Sequence, residues 1–301
     1  MTNRSSTPKI LVTGATGTVG SALVSALHAR GADVRAMARD PRSAREGLPP
    51  AVPVVTGDFA DRASLRTSLQ GIDVVFLLCG NVADQVAYEC ALIDEAQAAG
   101  VQRIVKQSAR GAAIGSSVAY WHWHALIEHH LHGSGVPAVV LQPGFLMTNL
   151  LAAAEHVREQ GMLFAPAGSA RIAMIDPIDV AAVAAEALLS AAYEGQTLIL
   201  TGPEAITYQS VADVLSRATG HPVGYVDIPP AAAVPALVDA GLPPFAAEQV
   251  VAVFAALRAG AQADPTESVR AVLGRAGGTF AAFAEAHARA FRTPTPASVR
   301  A

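Results

Sequence analysis

Residues 9–20 read KILVTGATGTVG: an apolar run closed by Thr13, then glycines at positions 14, 17 and 20, with a helical pattern that continues to Gly31. A buried strand that turns at glycine and resumes as a helix leaves unpaired backbone N–H groups and the positive end of the helix dipole at the turn. With no side chains in the way, a diphosphate can approach that backbone. The spacing therefore predicts a dinucleotide site rather than a purely structural turn. No Lys-Ser or Lys-Thr pair follows the glycines, which disfavours a nucleotide-triphosphate loop.

Outward from this stretch, short apolar runs alternate with helical patterns. DVRAMAR, VPVVTGD, DVVFLL, RIVKQS and PAVVLQP read as strands, separated by helices such as DRASLRTSL and DQVAYECALIDEAQAAG. Strands buried on both faces and joined by helices predict an α/β fold, a doubly wound parallel sheet of the Rossmann type, with residues 1–150 as its NAD(P)-binding core. Past Gly144 the rhythm loosens. MIDPIDVAAVAAEALL starts a helix with Asp176 as its cap, Pro177 at the first position and Asp179 in the first turn. A strand, QTLILTG, and a helix, TYQSVADVLSRATG, follow. Residues 151–292 are expected to complete the core and form a small C-terminal substrate or lid lobe. Within them, the Pro- and Ala-rich region from Pro229 to Gly260 reads as mobile helices rather than a second independent core. The tail 293–301 lacks apolar periodicity and is expected to be disordered.

The chain has 301 residues, 51% of them apolar, and a formal charge of −4 with no block of like charge. That balance argues against nucleic acid or an anionic membrane surface as partner and points to a small-molecule substrate. Runs such as VAAVAAEALLSAA are interrupted by acids before the ~18 to 20 residues a membrane span needs. MTNRSSTPKI lacks the apolar core of a signal peptide, so a cytoplasmic location is expected; separately, the chain is expected to be a monomer or homodimer. Cys79 and Cys90 are wrongly spaced for a redox pair and are expected to be reduced and packed.

About 20 residues beyond the glycines, where NAD sites place a carboxylate, stands Arg39 with Asp40 behind it. A guanidinium fork there suits a 2′-phosphate and favours NADPH/NADP; the other reading has Arg39 capping the strand and Asp40 holding the ribose. Asp58 of TGDF either accepts from the adenine amine or caps the next helix.

These residues resemble the atypical short-chain dehydrogenase/reductases, in particular their NmrA-like branch. The resemblance is carried by TGATGTVG, VRAMARDP, VTGDFADRASL, GIDVVFLL, SGVPAVVLQPGFLMTNL, and IDPIDVAAVAAEAL followed by LTGPEAITYQSVADVL. It runs from about Lys9 to Pro229 and is weak beyond. It implies cofactor contacts from Gly14, Thr16, Gly17, Thr18, Val19, Arg39, Asp58, Phe59 and Leu78, and from Pro143, Gly144 and Phe145 after the sixth strand. It also implies a C-terminal lobe closing a pocket above the nicotinamide, lined by Leu146, Met147 and Asn149. Members of the branch include NADPH-dependent quinone and ketone reductases and cofactor-sensing regulators without turnover.

Standard reductases of this kind carry a serine, a tyrosine about a dozen residues on, and a lysine four beyond the tyrosine. Here Ser108 and Tyr120 hold the first two places and His124 stands in the third, within AYWHWHALIEHHLHGSG. Helical spacing places Tyr120, His124 and Glu128 on one stripe. Tyr120 is either catalytic or a packing residue; His124 would support the ribose or relay a proton, and Ser108 would orient the substrate oxygen. A metal on His124, Glu128 and His132 is not expected, because one helix offers ligands in a row rather than around a centre. His129, His130 and His132 read as a solvated face near the helix C-terminus. An imidazole in place of the lysine weakens acid catalysis, which favours hydride delivery from NADPH to a quinone-like or conjugated or aromatic ketone. The alternatives are a non-catalytic NADP(H)-binding redox sensor, or a lyase, cyclase or epimerase on the same fold.

Overall fold

The computed structural model describes residues 7–292, so the tail 293–301 lies outside the described residues. Along the chain come β1 (Lys9–Val12), α1 (Thr18–Ala29), β2 (Asp33–Ala38), α2 (Pro41–Ala44), β3 (Val54–Thr56), α3 (Arg62–Ser68), β4 (Val74–Leu77), α4 (Gln85–Ala98) and β5 (Arg103–Gln107). Then follow α5 (Ala119–Gly133), β6 (Ala138–Pro143), α6 (Ala154–Gln160), β7 (Met162–Ala165), α7 (Pro177–Leu189), β8 (Thr197–Leu200), α8 (Tyr208–Thr219) and β9 (Gly224–Asp227). Last come α9 (Pro230–Asp239), α10 (Pro244–Arg258), α11 (Ser268–Leu273), α12 (Phe280–Ala286) and α13 (Ala288–Phe291).

Two units emerge. The first, among the described residues, comprises 7–144, 177–200 and 267–276. Its seven strands lie in the order β3-β2-β1-β4-β5-β6-β8, and the paired strands are parallel throughout, as in Lys9↔Asp33 and Val74↔Arg103. The doubly wound sheet expected from the alternating runs is thus present. Leu11, Val75, Leu77 and Ile104 pack with Leu65, Leu92 and Ile127 of α3, α4 and α5. Ile10, Val12, Val74 and Phe76, equally buried, alternate with them onto the other face. There α1 and α7 pack on each other. Asp179 in the first turn of α7 is nearly buried and meets Arg275 Nη2 at 2.8 Å, so its partner is a guanidinium as well as the helix dipole.

The second unit comprises 145–176, 201–266 and 277–292. Its two-stranded parallel sheet pairs β7 with β9. It has a core of its own, in which Met147, Leu163, Met174, Tyr208, Leu215, Phe254, Leu257, Phe280, Phe283 and Phe291 are buried together. This corrects the expectation of mobile helices after Pro229: α10 buries Phe254 and Leu257, apolar side chains that helical spacing places on one face. The boundary falls at Gly144 rather than at residue 150. Phe145 already belongs to the second unit, where its N–H donates to Gln262 Oε1 (2.8 Å) and its carbonyl accepts from the Ile175 N–H (2.9 Å). Among the described residues no helix is long and apolar enough to cross a membrane.

Candidate functional site

β1 sits between β2 and β4, so the loops leaving these three strands converge at their carboxyl ends, where open parallel sheets bind ligands. Thr13, fully buried, joins β1 to β4: its hydroxyl accepts from the Leu78 N–H (2.8 Å) and shares its hydrogen between the Phe76 and Leu78 carbonyls (3.1 and 3.0 Å). Gly14 then turns with φ +60°, and a Cβ there would lie 2.8 Å from the Leu78 carbonyl oxygen. Gly17 begins α1 without a side-chain cap, and no acid occupies the first turn. A Cβ on Gly20 would sit 2.1 Å from the Gly14 carbonyl oxygen, so only glycine lets the helix lie this close to its own entry loop. Thr16, Gly17 and Thr18 are exposed. Val19 has its side chain in the core and can offer a ligand only its backbone. The result is a bare, positive helix start with no carboxylate competing, which fits a dinucleotide diphosphate.

At the end of β2 Arg39 is exposed, whereas Asp40 caps α2, one of its oxygens accepting from the Arg42 N–H at 2.9 Å. Asp40 thereby has a structural task, and the guanidinium is the group free to meet a phosphate. Burial pushes the Cys79 and Cys90 thiols up to about 11, so both are protonated and poorly nucleophilic. Asp58 closes a turn on the Ala60 N–H (3.0 Å), while the cap of α3 is Asp61, on the Ala63 N–H (2.9 Å). The reading of Asp58 as a helix cap is therefore corrected by three residues. Phe59 stacks on Tyr88 of α4, ring centroids 6.4 Å apart.

The ends of β5 and α5 hold the next cluster. Ser108 is buried and donates its hydroxyl hydrogen to Glu128 Oε1, which also accepts from Gln142 Nε2 (2.9 Å). With that hydrogen committed, Ser108 can offer a substrate only lone pairs. Burial raises the Tyr120 phenol above its ordinary value, and its ring meets Trp123 edge-on at 5.4 Å. His124 is buried, and beside it lies a lysine absent from the sequence reading. Lys106 Nζ is 3.4 Å from His124 Nδ1, 2.8 Å from Glu89 Oε2, and in contact with the Gln107 carbonyl. Lys106 and Glu89 are both 0% exposed, and Gln85 Nε2 donates to Glu89 Oε1 at 3.1 Å. Burial raises the Glu89 carboxyl, an effect that Lys106 opposes.

Burial, then the Lys106 charge, holds the His124 imidazole well below its ordinary value, so the ring is neutral at pH 7. A neutral ring offers one N–H donor and one nitrogen acceptor, and the nearest cation lies behind it on β5 rather than on its own helix. A depressed histidine also destabilises the native state in acid: from pH 6.5 down to its folded value the unfolded chain binds the proton that the native chain refuses. Chemical denaturation below pH 6.5 is expected to show stability falling by up to about 1.4 kcal/mol per pH unit, a slope that His124→Gln reduces by one proton. An equal slope in both proteins would remove this assignment.

The remaining histidines divide. His122 Nδ1 accepts from the Gly115 N–H (3.0 Å), closing the loop before α5, and His130 pairs with Asp94 (2.7 Å). His129 and His132 are exposed. Among the described residues no group of three or more His, Cys, Asp or Glu converges on a metal position. Trp121 packs against Gly111, whose Cβ would fall 2.8 Å from the indole. Pro143 and Gly144 end β6 through bonds from Arg110 N–H to the Pro143 carbonyl and from Gly144 N–H to the Leu200 carbonyl, both 2.9 Å. In the second unit Phe145 packs 6.1 Å from Phe254. Met147, expected to line a pocket, is 1% exposed and serves the core instead. Leu146 is half-buried and Asn149 exposed.

The chain matches the NmrA-like family over residues 6–275, well past Pro229, where the resemblance read from the sequence stopped. It is 38% identical to the NAD(P)H azoreductase of Xenophilus azovorans over 282 residues, 94% of this chain and 99% of that one. It is 36% identical over 284 residues to a (4-alkanoyl-5-oxo-2,5-dihydrofuran-3-yl)methyl phosphate reductase of Streptomyces griseus, again 94% and 99% of the two chains. Among solved structures, the NADPH complex of the Escherichia coli quinone oxidoreductase QOR2 superposes with a TM-score of 0.85 at 28% identity, over 92% of this chain and 99% of that one. A Rossmann sheet, a bare glycine-lined helix start and this match together place the chain in the NmrA-like family.

Proposed function

We propose that the chain, an NAD(P)H-dependent reductase, uses NADPH to reduce a quinone-like or conjugated or aromatic ketone. The observation that carries the cofactor half is the side-chain-free approach at Gly14 and Gly20, with Arg39 exposed at the end of the neighbouring strand. In this reading the start of α1 holds the diphosphate, and the Arg39 guanidinium holds the 2′-phosphate by charge-assisted hydrogen bonds. Leu78 backs the turn through the Thr13 clamp, and Pro143 and Gly144 bound the site at β6. The bound nicotinamide supplies hydride to the acceptor's electron-poor carbon.

The substrate half rests on what the polar cluster offers. His124 is neutral and Tyr120 holds its proton tightly, so both donate hydrogen bonds without acting as strong acids. Quinones and enones accept hydride without full protonation of oxygen in the transition state, and an oxyanion held by such donors suffices. Holding the two reactants together in a dry site supplies most of the rate.

The test is NADPH oxidation by the purified chain across a panel of quinones, aromatic ketones and azo dyes, alongside calorimetric titration of NADPH and NADH. Quinones are expected to turn over fastest. Arg39→Ala is expected to weaken NADPH about 10- to 100-fold, from a lost charge-assisted bond of roughly 1.5 to 3 kcal/mol, and to leave NADH within twofold. Equal losses for both nucleotides would refute the assignment of Arg39, and failure of every quinone would refute the substrate class.

A further inference from the structure

The sequence replaces the usual helix lysine with His124, yet an ammonium reaches the same histidine from the strand behind it. The Lys106 ammonium has three hydrogens, and three acceptors surround it: Glu89 Oε2, the Gln107 carbonyl and His124 Nδ1. With its side chain 0% exposed among these groups, Lys106 does not itself reach a ribose hydroxyl or do the work of the usual lysine. The 3.4 Å contact to Nδ1 is long for a hydrogen bond. It is nevertheless too short to hold a ring N–H facing an ammonium, since two positive hydrogens would share the gap. The hydrogen of the neutral imidazole therefore belongs on Nε2.

We propose that Lys106, anchored by Glu89, is a positioning residue that fixes His124 in one tautomer, with Nδ1 accepting and Nε2–H presented as a donor to an oxygen of the hydride acceptor. This rests on the reductase reading above. The three groups come from three elements, α4, β5 and α5, so the ring orientation is set by tertiary packing. A buried ion pair contributes little net stability over an apolar pair of equal size, so stability alone gives no reason for one at this position. Orientation of a functional imidazole does, as hydrogen-bonding partners behind a histidine set which ring nitrogen acts.

The groups that face His124 are Lys106 from β5, Glu89 of α4 through Lys106, and, one turn away on its own helix, Tyr120 and Glu128. Glu128 is occupied by Ser108 and Gln142. Removal of Lys106 together with the Glu89 charge leaves the imidazole with burial alone.

The experiment is ¹⁵N-histidine NMR on the full chain, with the His124 signal assigned through His124→Gln, comparing wild type with the double variant Glu89→Gln/Lys106→Met. The double variant strands no buried charge. Wild type is expected to show a single Nε2–H tautomer that does not titrate between about pH 5.5 and 8.5, centred on the model histidine value. The double variant is expected to show mixed tautomers or titration in that range, with kcat for a quinone lowered about 10- to 100-fold, as for a misplaced catalytic contact, and Kd for NADPH within twofold. Lys106→Arg, which keeps the cation, is expected to keep the tautomer.

An Nδ1–H or mixed tautomer in wild type overturns the proposal whether or not the variants fold. So does an unchanged tautomer in the double variant, or a changed tautomer with unchanged kcat. If wild type fails to oxidise NADPH with every acceptor of the panel, the reductase reading fails, while the tautomer comparison still decides the Lys106–His124 relation.

Discussion

Gly20→Ala is expected to weaken NADPH binding at least 100-fold while Gly47→Ala leaves it unchanged. The added methyl in the first variant falls 2.1 Å from the Gly14 carbonyl oxygen and 2.9 Å from Ala15 Cα, both backbone atoms that no rotamer can move. The helix start must separate from the loop that it cradles. Losing two charge-assisted bonds to the diphosphate, at about 1.5 kcal/mol or more each, accounts for the factor of 100. Gly47 is the control, because nothing lies within 4 Å of its Cβ position. Calorimetric titration of both variants checks this. NADPH binding by Gly20→Ala as tight as in wild type would show that the diphosphate does not rest on this turn.

The second large effect is on stability. Glu89→Ala is expected to cost about 3 to 5 kcal/mol, because it leaves the Lys106 ammonium buried without its carboxylate. Against the 5 to 15 kcal/mol that typically holds a protein folded, this is a major fraction. The double replacement Glu89→Gln/Lys106→Met removes the stranded charge and is expected to return close to wild-type stability. Urea unfolding followed by circular dichroism measures both. If the single variant loses less than about 1 kcal/mol, the pair is not the buried ion pair described, since an exposed pair contributes up to that much.

Much of the first unit was legible because its signals are local. KILV followed by glycines, DVVFLL and PAVVLQP show their strand character within a few residues, and helical spacing marks α4 and α5 without reference to neighbours. The Gly14 turn was legible for the same reason: a glycine between a strand and a helix has a backbone purpose. The roles of Asp40 and Asp58 were half legible. Each lies at a strand end where a cap, a turn or a ligand contact all call for a short carboxylate, and only the observed bonds to Arg42 and Ala60 decide.

Lys106 escaped the sequence reading although a signal existed. In RIVKQS it stands in a strand buried along its whole length, and in AYECALIDEA Glu89 lies on the buried side of α4. A charge in each of two buried patterns is a reason to look for a pair. The division into two units was harder to see, because residues 177–200 and 267–276 return to the first sheet after excursions through the second core. Met147 illustrates the consequence: its apolar surroundings in the sequence suggest a pocket wall, whereas the core it fills includes Phe254 and Phe280, more than a hundred residues away in sequence.

The chain's own order of residues thus determined the parallel sheet, the bare start of α1 and the positions of Ser108, Tyr120 and His124, all of which follow from periodicity and backbone freedom within a short window. Tertiary structure alone decided that an ammonium from β5, held by a carboxylate from α4, sits behind the histidine of α5. Charge and desolvation act through space, so the protonation of His124 depends on side chains that sequence spacing does not bring together.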